Sequence, residues 1–386
     1  MTSGYHIILA GGGTLGHLYP GLAIAQHLAE RLPGTQITFV GSGKAIERHT
    51  VRAAGFQYTT LPARPTPRNP LEAFRFVTDN VAGFCAGQWM LREQRASLVL
   101  GLGGYISASL VHAARWRGVP IVLLEQDAIP HRTTRMLAHA AEAVCVGFES
   151  TQAQLSSGAT IVTTGTPARP AFEQLYSQRF GSAPPNEVAD LAISRSSGSG
   201  LKRLVVLGGA GPLNAAVPGA LRQITSRLAG WRIVHQTGEG QLQETERRYQ
   251  QAGIEALTVS YVDEMASLLF ETDLVVCRAG GSTLAELALA GVPTVMLPAI
   301  HFDDDAQRAN AQVISAAHAG TVVDESLAGD RLDEALAREI DLLVTDHTRR
   351  QQMAANMLRL ARPRAASDIA DVCCEIVCGS LQRAAA

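Results

Sequence analysis

The turn near residue 280 has the residue types and the spacing needed to bind an anion. The stretch "VVCRAGGSTLAELALAGVPTVMLP" (residues 275–298) ends an apolar run at Arg278, passes through two glycines, and resumes with helical periodicity after Ser282 and Thr283. Backbone N–H groups and the dipole at a helix N-terminus attract phosphate. Thr283 and Glu286 also have the T-x-x-E spacing of a capping box, which alone would stabilise a helix by about 0.5–2 kcal/mol. The sequence leaves both interpretations open.

Two glycine-rich turns in the N-terminal half share this arrangement of strand, glycines and helix. "GGGTLG" (residues 11–16) fits G-x-G-x-x-G, but the acidic residue that NAD-binding proteins carry at the end of the second strand is missing, since "GSG" stands there. "LGLGGYISASL" (residues 100–110) places two more glycines ahead of a helix. We favour a site for phosphate or developing negative charge over NAD(P) binding and over tight packing alone.

Two side chains beside these turns are candidates for acid–base chemistry. His17 follows the first turn at the start of a helix, and an imidazole titrates close enough to neutral pH to act as a general base. "VLLEQDAIP" (residues 122–130) ends an apolar strand in Glu125, Gln126 and Asp127, where polar groups are costly unless they are solvated or bonded. We predict catalytic roles for His17 and Glu125; a solvated histidine and a polar strand cap are the alternatives.

Short apolar runs alternate with helical patterns along most of the chain, which predicts parallel sheets with crossover helices. The strand-like runs are "YHIILA", "ITFVG", "LVLGLG", "PIVLLEQ", "AVCVGF" and "TIVTTG", then "RLVVLGG", "WRIVHQTG", "LTVSYV", "DLVVCRAGG", "PTVMLP" and "TVVD". The polar stretch at residues 176–202 predicts a loose linker. We therefore expect an α/β protein of two Rossmann-like domains, with a boundary near residue 170 and ligands in an interdomain cleft at the carboxyl ends of the strands.

The composition is that of a globular protein without a global preference for a charged partner. The chain has 386 residues, is 46% hydrophobic and 18% charged, and carries a formal charge of −2. This length predicts two domains, and the near-zero charge predicts no nucleic-acid binding. No apolar stretch reaches the roughly 18 residues of a spanning helix, and no signal peptide is recognisable.

Neither the cysteines nor the aspartates predict a dedicated metal site. Three cysteines lie in apolar runs and are predicted in the core: Cys85, Cys145 and Cys277. Three more share a C-terminal helix without a second cluster of ligands: Cys373, Cys374 and Cys378. The aspartates at positions 303–305 are expected in a solvated loop. We expect reduced thiols and no tightly bound metal.

The order of the motifs resembles the MurG family, the UDP-N-acetylglucosamine (UDP-GlcNAc) transferases of peptidoglycan synthesis. The stretches that carry the resemblance are "GGTLGHLYPGLAIAQHL", "GLGGYISA", "LEQDAIP", "GTPARP", "LGGAG", "HQTGEG", "YVDEM", "TDLVVCRAGGSTLAE" and "DDAQRANA". They extend over most of the chain, and their shared order is far more specific than any one of them. The resemblance implies the GT-B fold, in which two Rossmann-like domains face each other across a cleft.

The resemblance also implies roles for individual residues. Those implied in UDP-GlcNAc binding are Thr14, Leu15, Gly16, Asp127, Arg169, Ala210, Val262, Gly281, Ser282, Thr283, Glu286 and Gln307. Among them Glu286 would hold the ribose hydroxyls, the backbone at 281–283 the diphosphate, and Gln307 the sugar. Val262 would lie near the uracil, and Arg169 would contact the nucleotide near the hinge. The acceptor side would contain Gly12, Gly13, Gly103, Gly104 and Tyr105, together with His17 and Glu125.

Five positions depart from the family pattern. Leu15 stands for a glycine, Leu124 for a histidine, Asp127 for an asparagine, Ala210 for a serine and Ala306 for a histidine. Leu15 restricts how closely an acceptor pyrophosphate can approach, and Asp127 adds a carboxylate near it. Three alternatives stay open. One is a UDP-sugar transferase with a different acceptor, and another is a non-catalytic nucleotide-sugar-binding protein, which the departures at Leu15, Asp127 and Ala210 suggest. The third is a UDP-GlcNAc 2-epimerase-like isomerase, which would share the architecture and the donor, although the ordered N-terminal motifs argue against it.

The implied reaction is an inverting transfer of GlcNAc from UDP-GlcNAc to undecaprenyl-pyrophosphoryl-MurNAc-pentapeptide (lipid I), which gives lipid II for the cell wall and so supports cell shape and division. The implied partners are both substrates, the inner face of the cytoplasmic membrane and other cell-wall synthesis proteins. No tightly bound cofactor is expected, and stimulation by Mg²⁺ is left open. Residues 1–170 would form the acceptor and membrane side, with a helix at about 364–380 packing back on it, and residues 171–363 the UDP-GlcNAc-binding domain.

One segment of the N-terminal half has the composition of a membrane anchor. Residues 64–90 combine basic and apolar side chains, namely Arg64, Arg68, Arg75, Leu71, Phe74, Phe76 and Trp89. Such a mixture is typical of helices that lie in a membrane interface. We predict peripheral membrane contact there, with simple packing on the sheet as the alternative.

Overall fold

The computed structural model describes residues 4–67, 70–155, 158–195, 200–209, 211–299, 305–328 and 331–385. The chain divides into two compact units, the first made of Met1–Pro170 with Arg364–Ala386 and the second of Ala171–Pro363. The boundary predicted from the sequence lies near residue 170. Each unit has its own parallel sheet covered by helices.

A seven-stranded parallel sheet forms the middle of the first unit. Its strands are β1 (His6–Ala10), β2 (Gln36–Gly41), β3 (Gln57–Thr60), β4 (Leu98–Gly101), β5 (Ile121–Glu125), β6 (Ala143–Val146) and β7 (Thr160–Thr163), in the order β3-β2-β1-β4-β5-β6-β7. In β1, Ile7 and Leu9 belong to one core cluster and Ile8 and Ala10 to the other, because successive side chains point to opposite faces. Burial on both faces explains why this run is apolar without alternation.

Helices cover both faces of this sheet. They are α1 (Leu15–Arg31), α2 (Ala45–Ala53), α3 (Pro70–Glu93), α4 (Gly104–Arg117), α5 (Arg132–Leu137) and α6 (Glu149–Gln152), with a 3-10 turn at Ala138–Ala140. Residues of α1 and α2 pack in the cluster that contains Ile7, and residues of α3, α4 and α5 in the cluster that contains Ile8. The two faces of β1 are thus covered by different helices.

The second unit contains a six-stranded parallel sheet. Its strands are β8 (Lys202–Leu207), β9 (Trp231–Gln236), β10 (Leu257–Val259), β11 (Leu274–Cys277), β12 (Thr294–Met296) and β13 (Gly320–Val322), in the order β10-β9-β8-β11-β12-β13. Its helices are α7 (Pro170–Phe180), α8 (Pro185–Arg195), α9 (Pro212–Gln223), α10 (Leu242–Ala252), α11 (Met265–Phe270), α12 (Gly281–Ala290), α13 (Ala306–Ala316), α14 (Glu325–Ala328), α15 (Leu332–Thr345) and α16 (His347–Arg359), with a 3-10 turn at Thr225–Arg227.

The last helix, α17 (Ala365–Ala385), belongs to the first unit although it follows the second in sequence. Its Ile369 and Cys373 are fully buried in the cluster that contains residues of α1. Arg31 at the end of α1 pairs with Asp371 (2.6 Å) and donates to the Ser367 hydroxyl (2.7 Å). The first unit is therefore completed by residues from the far end of the chain.

The structure differs from the sequence-based expectation in three places. Strand β3 is an edge strand of mixed polarity and was not predicted. The expected linker at 176–202 contains the end of α7 and the whole of α8, with a turn at 181–184 between them, because the buried Phe172, Tyr176 and Val188 give the two helices an apolar side. Residues 196–199 lie outside the described part of the chain. The prediction of Cys85 in the core is wrong, since this residue is exposed on α3, whereas the predictions for the other two core cysteines are confirmed.

Candidate functional site

The first glycine turn, residues 11–14, joins β1 to α1 at the carboxyl edge of the first sheet. The second glycine turn follows β4 at the same edge, and between the two the Leu102 N–H donates to the Ala10 carbonyl (2.8 Å). Parallel strands end on one edge, so Ser42 after β2 and Glu125 at the end of β5 lie along it as well. The structure thus brings the residues predicted on the acceptor side to one edge of this sheet.

The Glu47 carboxylate, on α2, fills the first glycine turn. It is 1% exposed and accepts hydrogen bonds from the Gly13 N–H (2.7 Å), the Ser42 N–H (2.8 Å), the Ser42 hydroxyl (2.7 Å) and the Tyr58 hydroxyl (2.8 Å). Burial opposes the charge, but these donors hold the pKa of the Glu47 carboxyl below its ordinary value. The amide of Gly13 is bonded within the protein, where the sequence analysis expected a donor to phosphate.

His17 lies in the first turn of α1, beside both glycine turns. Its Nδ1 lies 3.4 Å from the Thr14 hydroxyl, and a Cβ placed on Gly103 would lie 3.4 Å from its Cδ2. Burial above all, and then the charge of His131, lowers the pKa of His17, while the Gly12 carbonyl and Glu125 oppose that shift. The imidazole is therefore neutral at pH 7, which is the form that can accept a proton.

Glu125 is buried, and both of its carboxylate oxygens are bonded. They accept the backbone N–H groups of Asp127 (3.2 Å) and His131 (2.9 Å), and His131 Nδ1 lies 3.2 Å from Oε1. Burial opposes ionisation, but the bonds from His131, its charge and a bond from Thr134 hold the pKa of Glu125 below its ordinary value. A carboxylate so engaged accepts a proton poorly, so this geometry favours His17 over Glu125 as the base and suits Glu125 to fixing the loop after β5.

Asp127 shares His131 with Glu125. Its Oδ2 lies 3.4 Å from His131 Nδ1, so the additional carboxylate faces an imidazole. In the described part of the chain these three residues form the one group whose ligand atoms, all within 4.8 Å of one another, could hold a metal ion. The oxygens of Glu125 already accept backbone and imidazole bonds. The set is therefore a poor fit for a resident metal.

The turn before α12 is open at the helix N-terminus. α12 begins at Gly281 with Gly280 as its N-cap, and the described residues provide no side-chain cap. Its backbone ladder starts with the Leu284 N–H and the Gly280 carbonyl (3.0 Å), so the amides of Gly281, Ser282 and Thr283 lie in the first turn, where a helix offers no acceptor. The capping-box interpretation is therefore wrong, because Thr283 is the third residue of the helix and not its N-cap.

Two side chains fix the backbone of this turn. Asn310, fully buried on α13, donates to the Ala279 carbonyl (3.0 Å). Arg278, just after β11, donates to the Leu297 carbonyl just after β12 (2.9 Å), and this bond joins the ends of the two strands. Arg278 also pairs with Glu325 (2.8 Å). These two side chains therefore fix the backbone that carries the three N–H groups of the first turn.

Three further residues predicted to bind UDP-GlcNAc accompany this turn in the second unit. Glu286 lies on α12 and is 7% exposed. Gln307 lies in the first turn of α13, and its Oε1 accepts the Ala299 N–H (2.9 Å). Val262 is half-buried in the connection from β10 to α11. All three follow strand ends of one parallel sheet, so they belong to the same edge.

The other residues predicted to bind UDP-GlcNAc, with one exception, belong to the first unit. They are Thr14, Leu15, Gly16, Asp127 and Arg169. The Arg169 guanidinium lies over the Tyr19 ring, 5.1 Å from its centroid. Leu15 packs against the core cluster that contains Leu124, which is how both departures from the family pattern are accommodated. Ala210 is the exception and lies outside the described residues; Ala306 is buried at the start of α13.

A buried chain of hydrogen bonds supports the glycine loop after β8. The Tyr249 hydroxyl bonds His235 Nδ1 (2.9 Å), His235 Nε2 bonds Asn214 Oδ1 (2.9 Å), and Asn214 Nδ2 donates to the Thr237 carbonyl (2.8 Å). A Cβ on Gly208 would lie 1.9 Å from Asn214 Oδ1, so only glycine fits there. Burial lowers the pKa of His235 to about 4, so the ring is neutral at pH 7.

Sequence reasoning missed several side chains that shape these turns. Glu47 and His131 were not singled out, although they bond the predicted site residues Gly13 and Glu125. Asn310 was noted at the start of its helix but was given no role, and it bonds the Ala279 carbonyl in front of the glycine turn. Glu47 follows its partner Ser42 by five residues and His131 follows Glu125 by six. Neither spacing is a period of secondary structure, because each bond closes an irregular loop. The only signal was a charged or polar side chain soon after a strand end.

Comparison with known proteins gives matches to both halves of the chain. The profile of the glycosyltransferase family 28 N-terminal domain matches residues 7–146, and that of the family 28 C-terminal domain matches residues 203–369. A relative from Geobacter sulfurreducens, a UDP-N-acetylglucosamine–N-acetylmuramyl-(pentapeptide) pyrophosphoryl-undecaprenol N-acetylglucosamine transferase, is 33% identical over 370 residues, which cover 95% of this chain and 97% of the relative. A relative of the same name from Stutzerimonas stutzeri is 33% identical over 379 residues, with 97% and 99% covered.

A solved structure shares the fold as well. The crystal structure of Acinetobacter baumannii MurG matches with a TM-score of 0.72 and 24% identity, covering 96% of this chain and 99% of the other. The chain has two Rossmann-like units with glycine turns at the ends of their strands, and the two domain profiles match them. These features define a glycosyltransferase of the GT-B class. The chain belongs to the MurG family, whose members here carry the transferase name given above. The fold and the family predicted from the sequence are thereby confirmed.

Proposed function

We propose that this protein transfers GlcNAc from UDP-GlcNAc to lipid I and so produces lipid II. The observation that carries the proposal is the 33% identity to transferases of that name over 95–97% of the chain. The matched region includes both glycine turns of the first unit and the open turn of the second. The protein is thus a hexosyltransferase of peptidoglycan synthesis.

The diphosphate of UDP-GlcNAc is proposed to bind at the N-terminus of α12, a position that we call the diphosphate seat. The amides of residues 281–283 have no acceptor within the helix and can donate to phosphate oxygens, and the helix dipole favours the negative charge. Glu286, one turn further along α12, can accept from the ribose hydroxyls, and Gln307 can bond the hydroxyls of the sugar. The same seat stabilises the charge that develops on the departing UDP.

His17 is the proposed general base. The sugar hydroxyl of the acceptor forms a bond to the anomeric carbon, the bond from that carbon to the UDP oxygen breaks with inversion, and the hydroxyl proton passes to the imidazole. General-base catalysis contributes roughly 10²–10⁴-fold to a rate. The proposed reaction requires no tightly bound cofactor, and any effect of Mg²⁺ is assigned to the diphosphate of the substrate.

A surface on the first unit is proposed to contact the inner face of the cytoplasmic membrane. We call it the α3–α5 surface, and its apolar members, 56–80% exposed, are Phe74, Val77, Val81, Trp89, Trp116 and Met136. Four of them, Val77, Val81, Trp116 and Met136, line a cavity of about 1020 Å³ together with Phe76, Phe84 and Arg115. Apolar side chains among basic ones bind membrane interfaces. Of the anchor predicted from the sequence, Arg68 and the side chain of Leu71 lie outside the described residues.

Peripheral contact is the form of association that this surface supports. Among the described residues, no helix combines the length and apolar character needed to cross a bilayer. Arg64 pairs with Asp79 and is therefore less suited to lipid phosphates than the sequence suggested, whereas Arg75 is exposed. Trp116 and Met136, which the sequence analysis did not connect with the membrane, extend the surface onto α4 and the end of α5.

Radiolabelled UDP-GlcNAc tests the proposal. The protein is incubated with the label and lipid I, and in parallel without lipid I. Label in the lipid fraction that depends on lipid I is the expected result; His17→Ala should lower the rate about 10²-fold or more, and His49→Gln, at an exposed position, should not. UDP-ManNAc formed without acceptor would make the protein an isomerase, and UDP binding without any product would make it a binding protein. Transfer only to a different lipid would contradict lipid I as the acceptor and would leave UDP-GlcNAc as the donor.

A further inference from the structure

A second cavity, of about 410 Å³, lies at the amino edge of the second sheet, and we call it the amino-edge cavity. Asp273 directly before β11 and Pro293 directly before β12 line it, so it is at the opposite edge from the diphosphate seat. Helix α12 begins at that seat and ends at the cavity, where Ala290 and Gly291 belong to the lining. None of the described residues predicted to bind substrates lines this cavity.

Arg350 on α16 lines the amino-edge cavity although it is only 4% exposed. Its Nη1 donates to the carbonyls of Leu343 and Val344, in the last turn of α15, and its Nη2 lies 3.4 Å from His347 Nδ1. The guanidinium also lies over the Trp231 ring, 5.1 Å from its centroid. These contacts cap α15, but carbonyls and rings carry only partial charges.

The two carboxylates that act on Arg350 are bonded elsewhere. Asp273 accepts the Arg203 N–H (2.8 Å), and Asp346 accepts the Arg349 N–H (2.9 Å). In the part of the chain that the structure describes, neither they nor any other carboxylate forms an ion pair with Arg350. Burial lowers the pKa of Arg350, and the two carboxylates oppose that shift. A buried charge is normally paired, because an unpaired one is costly in the protein interior.

Arg179 on α7 adds a second guanidinium to the lining of the cavity. It is exposed, donates to the Phe270 carbonyl (2.8 Å) and pairs with no carboxylate among the described residues. With Arg350 it outweighs the one lining carboxylate, Asp273, by a single positive charge. The remaining wall includes the apolar side chains of Phe180, Val188, Pro293 and Leu358.

We propose that the amino-edge cavity binds a small organic carboxylate, whose charged group pairs with Arg350 and Arg179 and whose apolar body packs against the aromatic and aliphatic wall. A planar guanidinium matches a carboxylate through two parallel hydrogen bonds. One negative charge balances the positive excess of the wall, whereas the second charge of a phosphate dianion would face Asp273. The volume is in the range of small-molecule sites, about 300–1,000 Å³.

Binding in this cavity is independent of the proposed transferase activity. The ten residues of α12 extend over about 15 Å between the cavity and the diphosphate seat. A ligand in the cavity and UDP at the seat therefore do not overlap, and both can be bound at once.

Calorimetric titration with 2-naphthoate tests the proposal, and 2-naphthamide is the uncharged probe of nearly the same shape. The unaltered protein should bind 2-naphthoate about 10-fold or more tightly than 2-naphthamide, because hydrogen bonds between charged groups are the stronger ones. Saturating UDP should leave the affinity for 2-naphthoate unchanged. Equal affinities for the two probes, displacement of 2-naphthoate by UDP, or no binding of 2-naphthoate would each overturn the proposal.

Two variants locate the binding without removing the bonds that Arg350 makes to α15. Arg179→Gln should weaken 2-naphthoate binding about 10-fold and leave 2-naphthamide binding nearly unchanged. Arg338→Gln, at an exposed position on α15 outside the cavity, is the matched control and should bind as the unaltered protein does. Ala354→Phe adds a ring to the lining from α16 and should abolish the binding of both probes. Unaltered 2-naphthoate affinity in Arg179→Gln and in a folded Ala354→Phe variant would place the ligand elsewhere.

Discussion

Asn310 donates to the carbonyl of Ala279 over 3.0 Å, and this buried bond joins α13 to the turn in front of α12. The proposed diphosphate seat is therefore held by a side chain from a different element. Neither a helix pattern nor a glycine motif would reveal this bond. It makes Asn310 the most direct test of whether the backbone before α12 is held in place for binding.

Asn310→Ala should weaken the binding of UDP and destabilise the protein. The variant leaves the Ala279 carbonyl buried without this donor, at a cost of about 1–3 kcal/mol. Calorimetric titration with UDP and urea denaturation measure the two effects. Asn356→Ala is the matched control, because Asn356 makes a similar bond to the His318 carbonyl (3.2 Å) near the surface. Unaltered UDP affinity in the Asn310 variant would show that the seat does not depend on this bond.

Ser282→Pro should remove one donor of the seat without removing the helix. Proline is tolerated in the first turn of a helix, where its missing N–H has no intrahelical partner. A hydrogen bond to a charged group contributes about 1.5–3 kcal/mol, so UDP should bind about 10- to 100-fold more weakly. Ser282→Ala keeps the N–H and should bind UDP nearly as the unaltered protein does. Equal UDP affinities of the two variants would place the diphosphate elsewhere.

His235 should make the stability of the protein depend on pH in the mildly acidic range. Its folded-state pKa is lowered by burial from 6.5 to about 4, so the unfolded chain takes up a proton in this interval before the folded protein does. Stability is fully present above about pH 6.5 and falls as the pH approaches 4, by on the order of 3 kcal/mol for this group. Urea denaturation at several pH values should show a shallower decline for His235→Gln. His49→Gln, at an exposed position, should keep the original slope.

Replacing two exposed aromatic residues should weaken membrane binding without changing UDP affinity. Phe74 and Trp116 are 75% and 80% exposed on α3 and α4 of the first unit. The double variant Phe74→Ser with Trp116→Ser should cosediment less with vesicles that contain phosphatidylglycerol, because less apolar area enters the interface. Leu257→Ser removes a similarly exposed side chain (62%) from the second unit and is the control. Unchanged cosedimentation of the double variant would exclude the α3–α5 surface as the contact.

The parts of the structure that follow from local pattern could be predicted from the sequence. Strands β1 and β11 are buried on both faces and therefore read as unbroken apolar runs. Helix α8 was not predicted, because apolar residues such as Val188 are few there and charged and serine residues are more numerous around them. Contacts such as those of Glu47 and Asn310 arise only when separate loops meet in space. No spacing along the chain encodes them.

Helix α17 contributes Ile369 and Cys373 to the same core as α1, so the first unit has a core whose members are more than three hundred residues apart in sequence. During synthesis on the ribosome, α17 cannot pack on the unit that begins with β1 until nearly the entire chain has been made. Until then an apolar face stays uncovered. Nascent protein is therefore most exposed to chaperones, proteases and self-association in this unit, and a premature stop before residue 365 would harm the half of the molecule made first.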